Sequence, residues 1–227
     1  MGYSYTQAQS QRKFEKPDYE NIEKITKDKN LDSFYPKLFN RYNNNDTSLN
    51  ITDFTNLYYG YFFQEHNSPI NFNDSIKAIY SKNELTKSDR QQLIFYTKKQ
   101  LEIEPYSLAY LNRMENLYHD LGIIDTSNLY RFKLIMVAKT LVSTGDGKTD
   151  TTGIHVNSIS DEYTLINLLG YDFDGKQSLT SNQCDYLTIK QNDDGIEGMY
   201  FDVKQIFKGY YKMFDIGKKK KRHRKRD

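Results

Sequence analysis

The hydrophobic pattern of this chain changes once, just after Gly153, and that change limits the folds it can adopt. Before it, apolar residues recur at the three- and four-residue spacings of amphipathic helices. After it, residues 154–158 alternate between apolar and polar, as in a strand. Apolar runs at 186–189 and 199–203 then flank residues 192–195, whose Asp-Gly pair favours a tight hairpin turn. The pattern predicts an α+β fold, a mostly helical body of helical hairpins with a small C-terminal antiparallel sheet or hairpin.

Capping residues predict where several helices begin and end. Thr86 stands three residues before Asp89, so the pair predicts a capping box. Thr52 is the expected N-cap of an earlier helix. Pro105 to Gly122, with the helix that follows, is similar to a single tetratricopeptide-type hairpin. Such arrays normally need about three repeats, which are not found at a period near 34, so an ordinary helical hairpin is an equal alternative.

The apolar side chains are unusually aromatic, with 20 Tyr, 13 Phe and no Trp. A core built from them contains many tyrosine hydroxyls that need hydrogen-bond partners. The stretch from Tyr58 to Phe63 is apolar or aromatic on all sides, which is typical of a helix buried between neighbours. The alternative is an aromatic lining for a peptide or glycan groove, presented by Tyr59 and Phe63.

Charge and composition divide the chain into three parts. Residues 1–16 are polar and are expected to be a disordered leader. Residues 17–217 are expected to form one globular domain. Residues 218–227 hold eight Lys/Arg and one Asp, a net charge of +7, whereas the rest of the chain has 24 Lys/Arg against 29 Asp/Glu, a net charge of −5. The acidic balance outside the tail argues against specific nucleic-acid binding there.

The basic tail is expected to be disordered, and its binding candidates are Lys219, Lys221, Arg222 and Arg224. One interpretation is a solvated chain end. Another is an adaptor for an anionic surface, either lipid headgroups or polysaccharide. A third is a localisation signal, which would suit a nuclear protein.

The N-terminal residues and the hydropathy bear on location. No apolar run reaches the roughly 20 residues that span a bilayer, so no transmembrane segment is expected. Thr6 to Ala8, followed by Gln9, resembles the end of a signal peptide, although the charged and apolar regions that precede such an end are missing. Either the start is trimmed, or Met1 is not the true start, or the likeness is chance. We expect an exported protein of the periplasm or cell envelope, with a cytoplasmic protein as the alternative.

Reactive residue types are densest at His155, Asp161, Glu162, Cys184 and Asp185. A Cys–His pair can generate a thiolate nucleophile, and His with carboxylates can hold a metal. We therefore take His155, Cys184 and Asp161 as the candidate catalytic residues. Since Cys184 is the only cysteine, its more common role is that of a small buried apolar residue.

Other chemical motifs are absent from the sequence or incomplete in it. There is no phosphate-binding glycine loop, no nucleophile elbow and no His-Glu-x-x-His motif. Residues 146–150 and 172–175 contain Asp and Gly but lack the further ligands of a calcium loop. No metal or cofactor is therefore expected.

Several separated stretches of the sequence together resemble one bacterial family. They are Pro17–Glu20, Tyr35–Phe39, Leu57–Tyr61, Gly145–Gly147, Cys184–Leu187 and Gly195–Val203. From about Pro17 to Met213 the chain resembles the domain of unknown function 4919 family. The resemblance implies an exported Bacteroidetes-type protein made with a signal peptide, and it implies no activity. It ends near Phe214, so the basic tail inherits no function from it.

Three functions follow as hypotheses. The first is an exported envelope protein, non-enzymatic, whose helical body binds a protein partner. The second is a small hydrolase-like or metal-using enzyme centred on His155 and Cys184. The third is an adaptor that reaches an anionic lipid or polysaccharide through the basic tail.

Overall fold

Helices precede the first strand, as the hydrophobic pattern predicts, and a further helix lies between the first strand and the second. A computed structural model describes residues 14–64 and 73–209. Its helices are α1 Tyr19–Lys27, α2 Tyr35–Asn43, α3 Ile51–Gly60, α4 Asn73–Tyr80, α5 Lys87–Leu101, α6 Leu108–Asp120, α7 Ile124–Val142 and α8 Ile159–Leu168, with a 3-10 turn at Tyr61–Phe63. The strands are β1 Ile154–His155, β2 Phe173–Leu179, β3 Cys184–Ile189 and β4 Gly198–Asp202. The predicted α+β class is confirmed. Residues 204–209, after β4, are helical as well.

The four strands form one mixed sheet in the order β1-β4-β3-β2. The predicted hairpin is β3 and β4, which pair antiparallel with Tyr186 opposite Tyr200. Two features differ from the prediction. β1 runs parallel to β4, so the sheet is not purely antiparallel. β2 was not predicted, because Phe173–Leu179 is polar and exposed along most of its length and has no apolar alternation.

Local capping chemistry explains several helix ends. Thr86 and Asp89 form the predicted capping box at the start of α5. The N-cap of α3 is Asn50, which forms a capping box with Asp53, so the choice of Thr52 was wrong by two residues. Gly122 follows the end of α6 with a φ of +72°, a conformation that glycine adopts without strain.

The largest buried cluster joins the helical body to one face of the sheet. Leu38, Phe54 and Leu57 from α2 and α3 are closed to water, as are Leu187 and Phe201 from the sheet. A second cluster lies beneath α4, α5 and α6, and its members are Ile76, Ile79, Leu93, Ile94, Met114 and Leu117. None of the helices within the described ranges is long and apolar enough to span a membrane.

Tyrosine hydroxyls in the core have hydrogen-bond partners, as their abundance requires. The hydroxyls of Tyr35 and Tyr106 are 2.8 Å apart, and Tyr42 donates to the carbonyl oxygen of Pro105 at 2.6 Å. Tyr59 donates to the carbonyl oxygen of His155 at 2.9 Å. These bonds join α2 to the loop before α6, and α3 to β1, so the aromatic core is held by directional contacts as well as by apolar burial.

The helical hairpin expected after Pro105 is α6 with α7. Ser127 donates to the carbonyl oxygen of Glu115 at 2.9 Å, and the rings of Tyr118 and Tyr130 stack with centroids 5.7 Å apart. The connection between the helices is residues 121–123. Two concave surfaces described below are built partly from this hairpin: α6 lines the first, and both α6 and α7 contribute to the second.

Candidate functional site

His155, Asp202 and Cys184 lie side by side on the face of the sheet opposite the main core. His155 on β1 is the register partner of Asp202 on β4, which is the partner of Cys184 on β3. Residues in register project from the same face of a sheet. All three are buried. The structure therefore brings His155 and Cys184 into one row, with Asp202 between them.

Cys184 lacks the surroundings of a nucleophile. Its Sγ is closed to water and donates to the carbonyl oxygen of Asp150 at 3.1 Å. Burial raises the pKa of the Cys184 thiol, and the charge of Asp202 raises it further. A reactive cysteine needs a stabilised thiolate, so this thiol stays protonated at neutral pH.

His155 is a buried, neutral imidazole. Its Nδ1 lies 3.4 Å from the Tyr19 hydroxyl, while its Nε2 lies 3.9 Å from Asp202 Oδ2 and has no hydrogen-bond partner in the described part of the chain. Burial lowers the pKa of His155, and Asp202 opposes that effect only in part. The 3.9 Å approach is therefore not an ion pair at neutral pH. The Asp202 carboxylate instead pairs with Lys204 at 2.8 Å.

Asp161 lies in the first turn of α8 and is hydrogen-bonded to two other helices. It accepts hydrogen bonds from the Tyr58 hydroxyl at 2.7 Å and from the Leu108 backbone N–H at 2.9 Å. Burial raises the pKa of Asp161 to about 7, although both hydrogen bonds act in the opposite direction. Its hydrogen bonds go to α3 and to the start of α6, and neither reaches His155 or Cys184. Of the three candidate catalytic residues, the sheet register places His155 and Cys184 in one row, and no hydrogen bond among the described residues joins Asp161 to either.

A second buried acid lies next to Asp161 on α8. Glu162 is closed to water, and neither of its carboxylate oxygens has a hydrogen-bond partner within residues 14–64 and 73–209. Burial, followed by the charges of Asp185 and Asp161, raises the pKa of Glu162 to about 9. The side chain is therefore a neutral acid at pH 7. Across the described ranges, no three His, Cys, Asp or Glu side chains are placed to hold a metal ion.

The proposed aromatic lining lies largely inside the protein. Tyr59 is closed to water, and Phe63 is half-buried against the main core. Tyr59 therefore packs in the core and does not face an open groove. Lys219, Lys221, Arg222 and Arg224, the tail candidates, lie outside the described residues.

One concave surface lies between α6 and α8 and holds about 500 Å³. We call it the amide groove, because three of its side chains are asparagines. It is lined by Tyr80, Leu85, Ala109, Asn112, Arg113, Asn116, Leu117, Asp120, Thr164, Asn167 and Leu168. None of these residues was predicted from the sequence to belong to a site. Asn112 and Asn116 have the spacing expected of the polar side of a helix.

A second concave surface lies between α2, α5 and α7 and holds about 460 Å³. We call it the lysine pocket, after Lys133. It is lined by Phe39, Tyr42, Asn43, Asn45, Lys98, Leu101, Glu102, Pro105, Leu111, Tyr130 and Lys133. The i, i+3 spacing of Tyr130 and Lys133 places them on one face of α7, which is the only sequence signal for this pocket.

Comparison with known proteins identifies a family and no relative of known activity. No curated protein matches the chain, and no solved structure matches it. One family, described as Domain of unknown function (DUF4919), matches residues 20–212. That match spans most of the chain and confirms the resemblance found in the sequence. The protein belongs to the DUF4919 family.

Proposed function

We propose that this protein is non-enzymatic and that its helical body binds a partner protein, with an extended, acidic segment of that partner lying in the amide groove. The observation that carries the proposal is the environment of the Arg113 guanidinium. Its guanidinium carbon lies 5.8 Å from the ring centroid of Tyr80 and 5.6 Å from that of Tyr110. Within the described ranges it forms no ion pair, although it lies in a groove.

The two tyrosine rings and Gln100 hold Arg113 in place. Its Nη1 donates to Gln100 Oε1 at 3.3 Å. Two ring contacts and a hydrogen bond restrict the guanidinium before any ligand arrives, which lowers the entropic cost of binding. A restricted guanidinium is well suited to a carboxylate, because the two planar groups form paired hydrogen bonds. A partner's Asp or Glu side chain supplies that carboxylate.

The asparagines add a way to bind the partner's main chain. Asn112 and Asn116 are one helical turn apart on α6, which is a rise of about 6 Å. An extended peptide repeats its main-chain groups on one side at about 6.6 Å. Asn116 Nδ2 donates to Asn112 Oδ1 at 3.3 Å, which leaves the Asn112 amide N–H groups and the Asn116 oxygen for the peptide. Asn167 lies across the groove on α8. The spacing fits main-chain recognition that tolerates different side chains.

Binding to an array of eight-residue peptides, random except for one central Asp, tests this proposal. We expect acidic peptides to bind the wild type and to lose at least about tenfold affinity with Arg113→Gln. Arg131→Gln is the matched control, since Arg131 is an exposed arginine on the neighbouring helix, 3.8 Å from Glu115. Equal binding by Arg113→Gln, or no preference for Asp over Asn at the fixed position, contradicts the proposal.

We further propose that the protein acts at the cell envelope. The support is the family resemblance to exported proteins and the Thr6–Ala8 stretch that precedes Gln9. The test is fractionation of cells that express the natural gene with a C-terminal epitope tag. We expect the tag in the envelope fraction, with accessibility to protease added outside the inner membrane. A tag that stays with cytoplasmic marker proteins contradicts the location.

A further inference from the structure

The lysine pocket contains a cation that lies over two aromatic rings. Lys133 is half-buried on α7, and its Nζ lies 4.2 Å from the ring centroid of Tyr42 and 5.8 Å from that of Tyr130. Tyr42 is itself buried, and its hydroxyl is already bonded to the carbonyl oxygen of Pro105. The ammonium therefore faces the flat sides of rings, which offset only part of the hydration that it loses.

The pocket has no anion to match this charge. Among the described residues, Lys133 forms neither an ion pair nor a hydrogen bond to a side chain, and its Nζ lies over the two tyrosine rings. Glu102 also lines the pocket, but it pairs with Lys99 at 2.8 Å. Burial lowers the pKa of Lys133 to about 8, the direction expected for a desolvated ammonium without a partner. A ligand with a negative charge supplies an ionic partner for Lys133.

Size and lining define the rest of the ligand. About 460 Å³ is within the range of pockets that take small molecules, and the walls from Phe39, Leu101 and Leu111 are apolar. Exposed Asn43 and Asn45 line the same pocket and offer amide donors for a second ligand oxygen. Two lysines, Lys98 and Lys133, and one acid, Glu102, line the pocket, so their formal charges sum to +1, which favours a monoanion over a phosphate.

We propose that the lysine pocket binds a small organic monocarboxylate, whose carboxylate pairs with Lys133 and whose apolar body packs against Phe39, Leu101 and Leu111. This site is separate from the amide groove, and neither proposal depends on the other. The carboxylate binds the ammonium form of Lys133, and its binding favours retention of that proton. Affinity is therefore highest below about pH 8 and falls by up to tenfold per pH unit above it.

Calorimetric titration of the full chain with 3-phenylpropionate tests the proposal, with 3-phenylpropionamide as the uncharged analogue. At pH 7 we expect the acid to bind at least about tenfold more tightly than the amide, since only the acid pairs with Lys133. Lys133→Met removes this difference. The control Lys139→Met changes an exposed lysine on the same helix and leaves binding unchanged.

Two further measurements separate a binding role from a structural one. Lys133→Arg keeps the charge at all accessible pH values, so we expect it to bind the acid at pH 9.5 as it does at pH 7, whereas the wild type does not. A midpoint of thermal unfolding at least as high as that of the wild type shows that the Lys133→Met variant is folded. Equal affinity for acid and amide, unchanged binding by Lys133→Met, or wild-type binding that does not fall between pH 7 and 9.5 overturns the proposal.

Discussion

Tyr58 and Asp161 are joined by a buried hydrogen bond of 2.7 Å that connects α3 to α8. The same Tyr58 hydroxyl accepts from the Asn157 backbone N–H at 2.9 Å, and Asp161 accepts from Leu108 N–H at the start of α6. One hydroxyl and one carboxylate therefore hold the ends of three segments that are distant in sequence. Asp161, one of the candidate catalytic residues, therefore has a structural role that can be tested directly.

Replacing Tyr58 with phenylalanine tests this structural role. Tyr58→Phe leaves the Asn157 N–H and one Asp161 oxygen without a partner, so we expect the free energy of unfolding to fall by about 2 kcal/mol. Urea denaturation at pH 7 measures it. Tyr200→Phe is the control, because the Tyr200 hydroxyl has no hydrogen bond within residues 14–64 and 73–209. This substitution should change the free energy of unfolding by less than about 0.5 kcal/mol. Equal stability of the two variants would count against the network.

Glu162 predicts a dependence of stability on pH. Its pKa is about 9 in the folded protein against an ordinary value of 4.5, so the folded state holds an extra proton between those values. The contribution of the protonated Glu162 side chain to stability is fully present below about pH 4.5 and is lost as the pH rises through about 9. We expect Glu162→Gln to match the wild type near pH 4 and to exceed its stability by on the order of 2 kcal/mol at pH 8.

Chemical denaturation at pH 4, 6 and 8 measures the Glu162 effect. Glu84→Gln is the control, since Glu84 is exposed and should not alter the pH profile. A Glu162→Gln variant whose advantage over the wild type does not grow with pH would show that the carboxyl is ionised in the folded state.

The environment of Cys184 predicts a slow thiol. Because its Sγ is closed to water and burial raises its pKa, we expect an aromatic disulfide reagent to label the native protein at least about a hundredfold more slowly than the urea-unfolded chain at pH 7.5. Absorbance of the released thiolate follows the reaction. Native labelling at the unfolded rate would restore Cys184 as a candidate nucleophile.

A close backbone approach at Gly145 predicts a position that accepts no side chain. A Cβ there would lie 2.6 Å from the carbonyl oxygen of Gly153 and would also overlap that of Thr152. We expect Gly145→Ala to lower the free energy of unfolding by about 3 kcal/mol. Gly122→Ala is the control, because its Cβ would meet no atom within 4 Å and only its positive φ costs energy, about 1 kcal/mol. Thermal unfolding compares the two, and equal losses would show that the loop yields.

Features set by neighbouring residues were predictable from the sequence. The capping box of Thr86 and Asp89 depends on three-residue spacing, and the β3–β4 hairpin depends on an Asp-Gly turn between apolar runs. The core position of Tyr59 also follows from a stretch that is apolar on every side. In each case the signal lies within about twenty residues of continuous sequence, where periodicity and turn chemistry act.

Features set by distant pairing were not predictable. Asp202 meets His155 because β1 runs parallel to β4, and no local pattern specifies that register. β2 is polar, so its place in the sheet depends on its partner β3 and not on its own alternation. The lysine pocket likewise combines α2, α5 and α7. His155 and Cys184 were grouped by residue type, which cannot show that one thiol is closed to water and one imidazole is neutral.

The place of β4 in the sheet has a consequence for synthesis of the chain. β4 lies between β1 and β3, yet it is the last of the four to leave the ribosome. Until Phe201 and Val203 emerge, the main core lacks two of its buried residues, and β1 has no strand to pair with. Until then, part of the apolar surface of the helices that are synthesised first remains uncovered. The central strand β4 is therefore synthesised after both edge strands, β1 and β2.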